Sequence, residues 1–283
     1  MNKISFFPYV GGKFYMLDKI LPLIPEHKTY IEVFGGSAKV LLNKKPSEIE
    51  IYNDFNKHLS NLFYVVAFHY EEFYNKAKWL LNSENIFDTI KKKLKEKIEI
   101  PDIEQAVYIW FLYRTSYSGK AETFSLHFRK KNILNYEDLE KTHQRFKNVI
   151  ITNKDFEYFK TYDDKDTFYY FDPPYLDRKY YGNTFTLDDH KRLLKMLKEL
   201  KESKWMLSCY DNDLYKEELK DVFKVKLNIK AALHSEVINK NSKKIKRDYA
   251  IETLYLNYIP DYDINKIKDL INIEYGLSVI GCK

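Results

Sequence analysis

The chain has 283 residues, of which 45% are hydrophobic and 31% are charged, a balance that suits a globular protein with a sizeable core. No apolar run reaches the roughly 18 residues of a membrane-spanning helix, and the N-terminal stretch lacks the layout of a signal peptide. The two cysteines give neither a disulfide framework nor a metal-ligand spacing. We therefore expect a reduced, cytoplasmic protein that holds no metal and has no membrane partner.

The charge and the aromatic content leave the type of partner open. The formal net charge is +6, and aromatic residues make up 17% of the chain, with 25 tyrosines among them. Positive charge suits a polyanion, and aromatic side chains can stack on bases. A biased genome composition explains the same residues equally well.

The hydrophobic pattern alternates between the periods of helices and strands. In chain order it predicts a helix over 13–24 up to Pro22, strands 29–36 and 48–54, helices 56–81, 86–99 and 103–114, a basic and aromatic loop or hairpin over 115–136, strands 148–156 and 167–172, a helix that Thr186 opens with Asp189 as its capping-box partner, and strands 205–210, 222–229 and 250–258. This alternation predicts an α/β sheet. The helix-rich stretch 57–147 interrupts this alternation, and we interpret the stretch as an inserted module. The sequence pattern of residues 260–283 indicates no functional role.

Polar and glycine residues gather where four of the predicted strands end. Phe34, Gly35, Gly36 and Ser37 follow the first strand, Asn53 and Asp54 the second, Asp155 and Phe156 the third, and Asp172, Pro173, Pro174 and Tyr175 the fourth. Ligands of open α/β sheets bind beyond the carboxyl ends of the strands. Glycines permit close approach of the backbone, and strand-end acids suit a nucleoside, whose ribose hydroxyls and exocyclic amine are donors.

Taken in order, these motifs resemble the Dam-like, D12-class DNA adenine-N6 methyltransferases over nearly the whole chain. The matching segments are PYVGGK (8–13), EVFGGSA (32–38), NDFN (53–56), KDF (154–156) and the catalytic tetrapeptide DPPY (172–175). The chain has Ala38 where the family usually has a further glycine. The resemblance implies a Rossmann-like class I methyltransferase sheet with helices on both faces, formed by residues 1–56 and 148–283, and an inserted, mainly helical target-recognition domain over 57–147.

The resemblance also implies the cofactor, S-adenosylmethionine, which leaves as S-adenosylhomocysteine. Its expected contacts are Tyr9, Lys13, Phe34, Gly35, Gly36, Ser37, Asp54, Asp155, Phe156 and Asp172. Two of these have ordinary alternatives, because Lys13 could be a surface lysine at a helix start and Tyr9 a core tyrosine.

For the catalytic residues Asp172, Pro173 and Tyr175 the resemblance implies a role that chemistry explains. The lone pair of an adenine amine is delocalised into the ring, and acceptors on Asp172 and Pro173 that bind its two hydrogens would free it. The two prolines fix φ and thereby orient the acceptors. Tyr175 offers a face on which the extruded base can stack, for which only its ring is needed.

Double-stranded DNA is the partner that the resemblance implies, together with a cognate restriction endonuclease as a possible further one. Candidate DNA contacts are Arg114, Tyr117, Lys120, Arg129, Lys130, Lys131, Arg178 and Lys179; ordinary basic surface loops are the alternative. The asparagine-glycine-arginine stretch of the GATC-specific members is replaced by SGKAETF, so GATC specificity does not carry over. Other hypotheses are methylation of another amine, in cytosine N4, RNA or a protein glutamine, and a non-catalytic DNA-binding relic.

Overall fold

The computed structural model describes residues 3–126, 136–176, 185–210, 212–230, 249–267 and 269–275. Its contacts divide the chain into two compact units, which we call the first unit (1–17 and 29–156) and the second unit (18–28 and 157–283). The described strands form an eight-stranded sheet flanked by helices, so the predicted α/β fold class is confirmed.

The first unit contains three parallel strands in the order β3-β2-β1. They are β1 (Thr29–Glu32), β2 (Ile49–Asn53) and β3 (Val149–Thr152). Because the three strands are parallel, their carboxyl ends lie at one edge of this part of the sheet. The predicted strands 29–36, 48–54 and 148–156 are confirmed, each a few residues shorter than the pattern suggested.

Helices account for most of the rest of the first unit. They are α2 (Lys39–Asn43), α3 (Lys57–Phe68), α4 (Tyr70–Ala77), α5 (Glu84–Lys93), α6 (Ile103–Thr115) and α7 (Tyr136–Phe146). Side chains at the N-caps begin two of them: Asn56 accepts a bond from the His58 N–H (3.0 Å) and Asp102 from the Gln105 N–H (3.1 Å).

An aromatic core joins these helices to the strands. The Phe63 ring of α3 lies 4.6 Å, centroid to centroid, from both Tyr52 of β2 and Phe146 of α7, and α3 also packs on α6 and on β3. The helices therefore share one core with β1–β3, and the division into compact units falls at residue 156 instead of on either side of 57–147. The predicted module 57–147 stays a prediction about function.

The second unit contains five strands in the order β4-β5-β7-β6-β8. They are β4 (Thr167–Phe171), β5 (Lys204–Tyr210), β6 (Phe223–Lys230), β7 (Tyr249–Leu256) and β8 (Leu270–Glu274), with helices α8 (Leu187–Glu199) and α9 (Asp213–Glu218). β4 and β5 are parallel, and the remaining pairs are antiparallel. All five residues of β4 are buried, as an apolar central strand should be.

The start of α8 agrees with the sequence in detail. The Thr186 N–H donates to the Asp189 carboxylate (2.8 Å), and the Asp189 N–H donates to the Thr186 hydroxyl (3.2 Å). This reciprocal pair is the predicted capping box.

Two predictions of local structure need correction. Residues 13–23 are not one helix but a 3₁₀ turn (Lys13–Met16), the short helix α1 (Leu17–Ile20) and a second 3₁₀ turn (Leu21–Leu23), since Pro22 lacks the N–H that a continuing helix would use. The segment after 260 was assigned no element, but it supplies β8, which pairs with β6.

Across the part of the chain that is described, no helix combines the length and the apolar character needed to span a membrane.

Candidate active site

The glycine turn after β1 is held tightly against β2. The Gly35 N–H donates to the Asn53 carbonyl (2.7 Å), and the Tyr52 hydroxyl donates to the Gly36 carbonyl (2.8 Å). A Cβ on Gly35 would lie 2.1 Å from a ring carbon of Tyr52, so no larger residue fits there. Gly36 and Ala38 have φ values of +50° and +53°, in the left-handed region that favours glycine.

Asp54 is fixed against this turn. One carboxylate oxygen accepts the Gly36 N–H and the other the Asn56 N–H, both at 2.7 Å. The side chain is half-buried, and burial raises its pKa to about 6 although the two N–H bonds act in the opposite direction. A carboxylate offers about four acceptor positions, so Asp54 retains acceptors for the hydroxyl groups of a ligand.

Asn53 ties the strand ends together, a role that sequence reasoning missed. Its side-chain NH₂ donates to the carbonyls of Val33 (2.9 Å) and Lys154 (3.1 Å), and its side-chain oxygen accepts the Lys154 N–H (2.8 Å). The residue is buried and bonds to the segments that follow β1 and β3. Asn53 therefore positions the predicted binding residues on both neighbouring segments.

The predicted residues after β3 reach the same edge. The Phe156 ring is buried and lies 5.8 Å from the ring of Phe34, centroid to centroid. Asp155 is exposed beside it. The structure thus brings together the predicted residues that follow β1, β2 and β3.

The N-terminal motif packs on the glycine turn. A Cβ on Gly36 would meet the Tyr9 ring at 3.1 Å, and a Cβ on Gly12 would meet the Ser37 hydroxyl at 3.2 Å. Lys13 is only 5% exposed, and its ammonium group donates to the Gly11 carbonyl (3.0 Å). Lys13 is therefore not a surface lysine. Tyr9 is half-buried, which leaves its two alternatives, a cofactor contact and a core tyrosine, open.

Two cationic side chains, the buried Lys39 and the half-buried Arg114, donate hydrogen bonds to the N-terminal segment. The Lys39 ammonium donates to the Phe7 carbonyl (2.7 Å) and the Ser5 hydroxyl (3.0 Å), and the Arg114 guanidinium donates to the Phe6 carbonyl (3.3 Å). Burial and, to a lesser extent, Arg114 lower the pKa of Lys39 to about 7; burial lowers the pKa of Arg114 to about 10. Arg114, a predicted DNA contact, is thus half-buried and bonded to this segment.

The DPPY segment lies in the second unit, directly after β4. Asp172 is half-buried and Pro173 is buried. The Tyr175 ring lies 4.3 Å from the Tyr210 ring at the end of β5, with the two planes inclined by 57°. The Tyr175 hydroxyl donates to the Glu252 carboxylate (2.5 Å). Burial, Glu252 and Asp172 raise the pKa of Tyr175 well above its ordinary value, so this hydroxyl stays a donor.

The candidate DNA contacts are only partly described. Tyr117 is 51% exposed and Lys120 is half-buried. Both lie in a small hairpin that a bridge between Ser116 and Phe124 closes, which agrees with the predicted loop or hairpin over the described residues 115–126. The remaining candidates, Arg129, Lys130, Lys131, Arg178 and Lys179, lie outside the described residues.

Among the described residues, no three His, Cys, Asp or Glu side chains are placed together to hold a metal ion. Comparison with known proteins then identifies the chemistry. Residues 9–235 match the family model of the D12 class N6 adenine-specific DNA methyltransferases.

Relatives of known function agree with the family match. The chain is 29% identical to the type II methyltransferase M.MjaIII of Methanocaldococcus jannaschii, over 91% of this chain and all of the relative. It is 27% identical to the type II methyltransferase M.CviBI of Paramecium bursaria Chlorella virus NC1A, over 68% of this chain and 77% of the relative. A DNA adenine methylase of Salmonella typhi is 23% identical over 75% of this chain and 83% of the relative. The chain therefore belongs to the D12 class of N6 adenine-specific DNA methyltransferases, and its function is the site-specific methylation of adenine in DNA.

Proposed function

We propose that this chain uses S-adenosylmethionine, the methyl donor of its family, releases S-adenosylhomocysteine and acts on an adenine flipped out of duplex DNA. The observation that carries the proposal is the Asp54 carboxylate, which is held on the glycine turn by the Gly36 N–H at 2.7 Å and retains acceptor capacity. A ribose offers two hydroxyl donors to such an acceptor.

The residues present fit the cofactor. We assign its binding to the residues that the first unit gathers at the ends of β1–β3, namely Tyr9, Lys13, Phe34, Gly35, Gly36, Ser37, Asp54, Asp155 and Phe156. For Asp172, a cofactor contact is proposed from the family motif alone. These side chains suit the cofactor chemically. The carboxylates accept hydrogen bonds from its hydroxyl and amine groups, and the aromatic rings can pack on its adenine. When bound, the cofactor supplies an electrophilic methyl group on a sulfonium.

Asp172 and Pro173 would activate the adenine amine. The carboxylate and the carbonyl each accept one N–H, which withdraws the nitrogen lone pair from conjugation and directs it outward. The acceptors are held before the reaction begins, because Pro173 and Pro174 fix φ near −65° and offer no N–H of their own. Tyr175 provides the stacking face for the base. Positioning contributes most of the rate enhancement in this scheme.

We assign target recognition to residues 57–147 and the DNA contacts to Tyr117, Lys120, Arg129, Lys130, Lys131, Arg178 and Lys179. Arg114 was predicted among them; its bond to the Phe6 carbonyl supports a positioning role for it instead. Two relatives bear type II methyltransferase names, which supports a cognate restriction endonuclease as a partner. We place the activity in the cytoplasm, where such an endonuclease would meet the same DNA.

One experiment tests this proposal before the recognition sequence is known. The protein is incubated with S-adenosylmethionine labelled in its methyl group and with unmethylated phage DNA, and the DNA is then digested to nucleosides. Label in N6-methyl-2′-deoxyadenosine is expected. Label in N4-methyl-2′-deoxycytidine, or label that enters added RNA and not the DNA in a parallel incubation, would contradict the proposal.

A further inference from the structure

A buried carboxylate lies behind the proposed stacking residue. Glu252 of β7 is 1% exposed, and in the antiparallel pairing of β5 and β7 it stands directly opposite Tyr210. Ser208 is two residues from Tyr210 on the same strand. Side chains that are opposite or diagonal in this way share one face of the sheet, so Glu252, Ser208 and Tyr210 point to the same side.

Two hydroxyl groups converge on one oxygen of this carboxylate. The Tyr175 hydroxyl and the Ser208 hydroxyl each donate to Glu252 Oε1 at 2.5 Å. A buried carboxylate is costly unless hydrogen bonds compensate for the lost water, and hydrogen bonds to charged groups are stronger than those between neutral groups. The pair of hydroxyls therefore explains how the core tolerates Glu252.

The same bonds constrain the Tyr175 ring at two points. Its centroid lies 4.3 Å from that of the tilted Tyr210 ring, and its hydroxyl is fixed by Glu252. A tyrosine has two rotatable side-chain bonds, and these two contacts together determine both. Without the hydroxyl bond, the ring would lose one of these two constraints.

We infer that Glu252, supported by Ser208, is a positioning residue for adenine methylation: it fixes the Tyr175 ring in the orientation that receives the extruded base. This inference rests on the proposed role of Tyr175 as the stacking face. It assigns a function to the Tyr175 hydroxyl, which stacking alone would not require, and to a glutamate 77 residues farther along the chain.

The test compares single-turnover methylation of unmethylated phage DNA by the full chain and by four variants. Tyr175→Phe removes only the hydroxyl, and Glu252→Leu removes only the acceptor; each should slow methylation about tenfold, the value of one hydrogen bond to a charged group. The double variant should be no slower than Glu252→Leu alone, because both changes break the same link. Glu252→Gln keeps an acceptor of the same shape and should remain within about threefold of the parental rate.

A matched control separates positioning from general loss of stability. Tyr169→Phe also removes a buried tyrosine hydroxyl, which donates to the Phe159 carbonyl at 2.7 Å from within β4. It should lower the melting temperature as Tyr175→Phe does, while the rate measured well below that temperature stays near the parental value. The affinity for S-adenosylmethionine should be unchanged in every variant.

Tyr175→Ala separates failure of this inference from failure of the proposed function. If Tyr175→Ala methylates at the parental rate, the stacking role itself is overturned. If Tyr175→Ala is slow but Tyr175→Phe is parental, stacking stands and the anchoring role of Glu252 is overturned. Should Glu252→Leu not fold, Tyr175→Phe and Glu252→Gln still decide, since a parental rate for Tyr175→Phe contradicts the inference by itself.

Discussion

Asp172 stands half-buried at the end of β4, between a fully buried strand and two prolines that leave its backbone little freedom. Replacing it by alanine removes the acceptor that we propose for the adenine amine, without opening the core of the sheet. The lost interaction belongs mainly to the transition state, so Asp172→Ala should slow single-turnover methylation by about 100-fold or more and weaken DNA binding far less.

A neighbouring carboxylate provides the control for Asp172. Asp166 precedes β4 and pairs with Lys28 at 2.7 Å, so Asp166→Ala changes charge on the same segment and should leave the rate near the parental value. Circular dichroism confirms that both variants fold. A folded Asp172→Ala protein that methylates at the parental rate would contradict the mechanism proposed for the DPPY segment.

Asp54 makes a separate prediction, about cofactor affinity. Its carboxylate is held by the N–H groups of Gly36 and Asn56, and Asp54→Ala should weaken S-adenosylmethionine binding by about 1–3 kcal/mol, the cost of losing a charged acceptor. Calorimetry with the exposed Asp88→Ala variant as control measures this. Unchanged affinity would remove Asp54 from the cofactor site.

The same carboxylate predicts a pH dependence. Burial raises the pKa of Asp54 to about 6, so the ionised, strongly accepting form predominates above pH 6 and is lost as the pH falls below it. If only the ionised form binds well, affinity at pH 5 should be about tenfold lower than at pH 8, since about a tenth of the protein is then competent. Asp54→Ala should abolish this difference; a parental affinity that does not change with pH would contradict it.

Among single residues, the sequence predicted those that lie in motifs directly after strands, and it did not predict the roles of side chains that bond to distant parts of the chain. The glycines, Asp54 and Phe156 were predicted because each follows a strand directly. The positioning roles of Glu252 and Asn53 were not predicted, because these roles depend on bonds to residues about 20 to 100 positions away in the chain. The bond from the Arg114 guanidinium to the Phe6 carbonyl was not predicted for the same reason.

At the scale of elements, the glycine turn after β1 makes a ranked prediction. A methyl group on Gly35 would lie 2.1 Å from the buried Tyr52 ring, so Gly35→Ala should destabilise the fold by about 1–3 kcal/mol or more. Gly36→Ala meets only the Tyr9 ring edge at 3.1 Å and strains a left-handed residue by about 1–2 kcal/mol. Thermal unfolding should therefore rank Gly35→Ala as the more damaging change.

A second substitution tests the cause of this ranking. If the clash with Tyr52 is responsible, adding Tyr52→Leu to Gly35→Ala should cost much less than Tyr52→Leu costs in the parental protein. Additive losses would instead contradict the clash as the cause.

The element boundaries show where local sequence is sufficient. The start of α8 was predicted to the residue, because a capping box is a local device. The strand β8 was missed because its five residues alternate weakly, and its pairing with β6 is a tertiary choice. Residues 13–24 were predicted as a helix up to Pro22 from their apolar spacing, which does not distinguish a continuous α-helix from the short helix and two 3₁₀ turns that the structure shows.

At the scale of the whole molecule, alternating strands and helices were enough to predict the α/β class, but not the division into compact units. The stretch 57–147 was separated in sequence because it contains no predicted strand. In space its helices share the aromatic core of Tyr52 and Phe63 with the sheet. A break in sequence pattern therefore does not locate a boundary between compact units here, and the module 57–147 stays a prediction.

The net charge of +6 favours binding to DNA, and we expect basic residues 129–131 to contribute to this affinity. Reversing Arg129, Lys130 and Lys131 to glutamate should weaken binding to all DNA sequences, and it should flatten the dependence of affinity on salt because fewer counterions are released. The matched control reverses Lys191, Lys195 and Lys198 of α8, which lowers the net charge equally but on a helix of the second unit. Fluorescence anisotropy across a salt series measures the DNA affinity of both triple variants.

If the two triple variants lose affinity equally, the general charge of the protein explains the binding, and residues 129–131 do not form the DNA interface. If the first variant changes the preferred site while keeping general affinity, these residues read bases instead of phosphates.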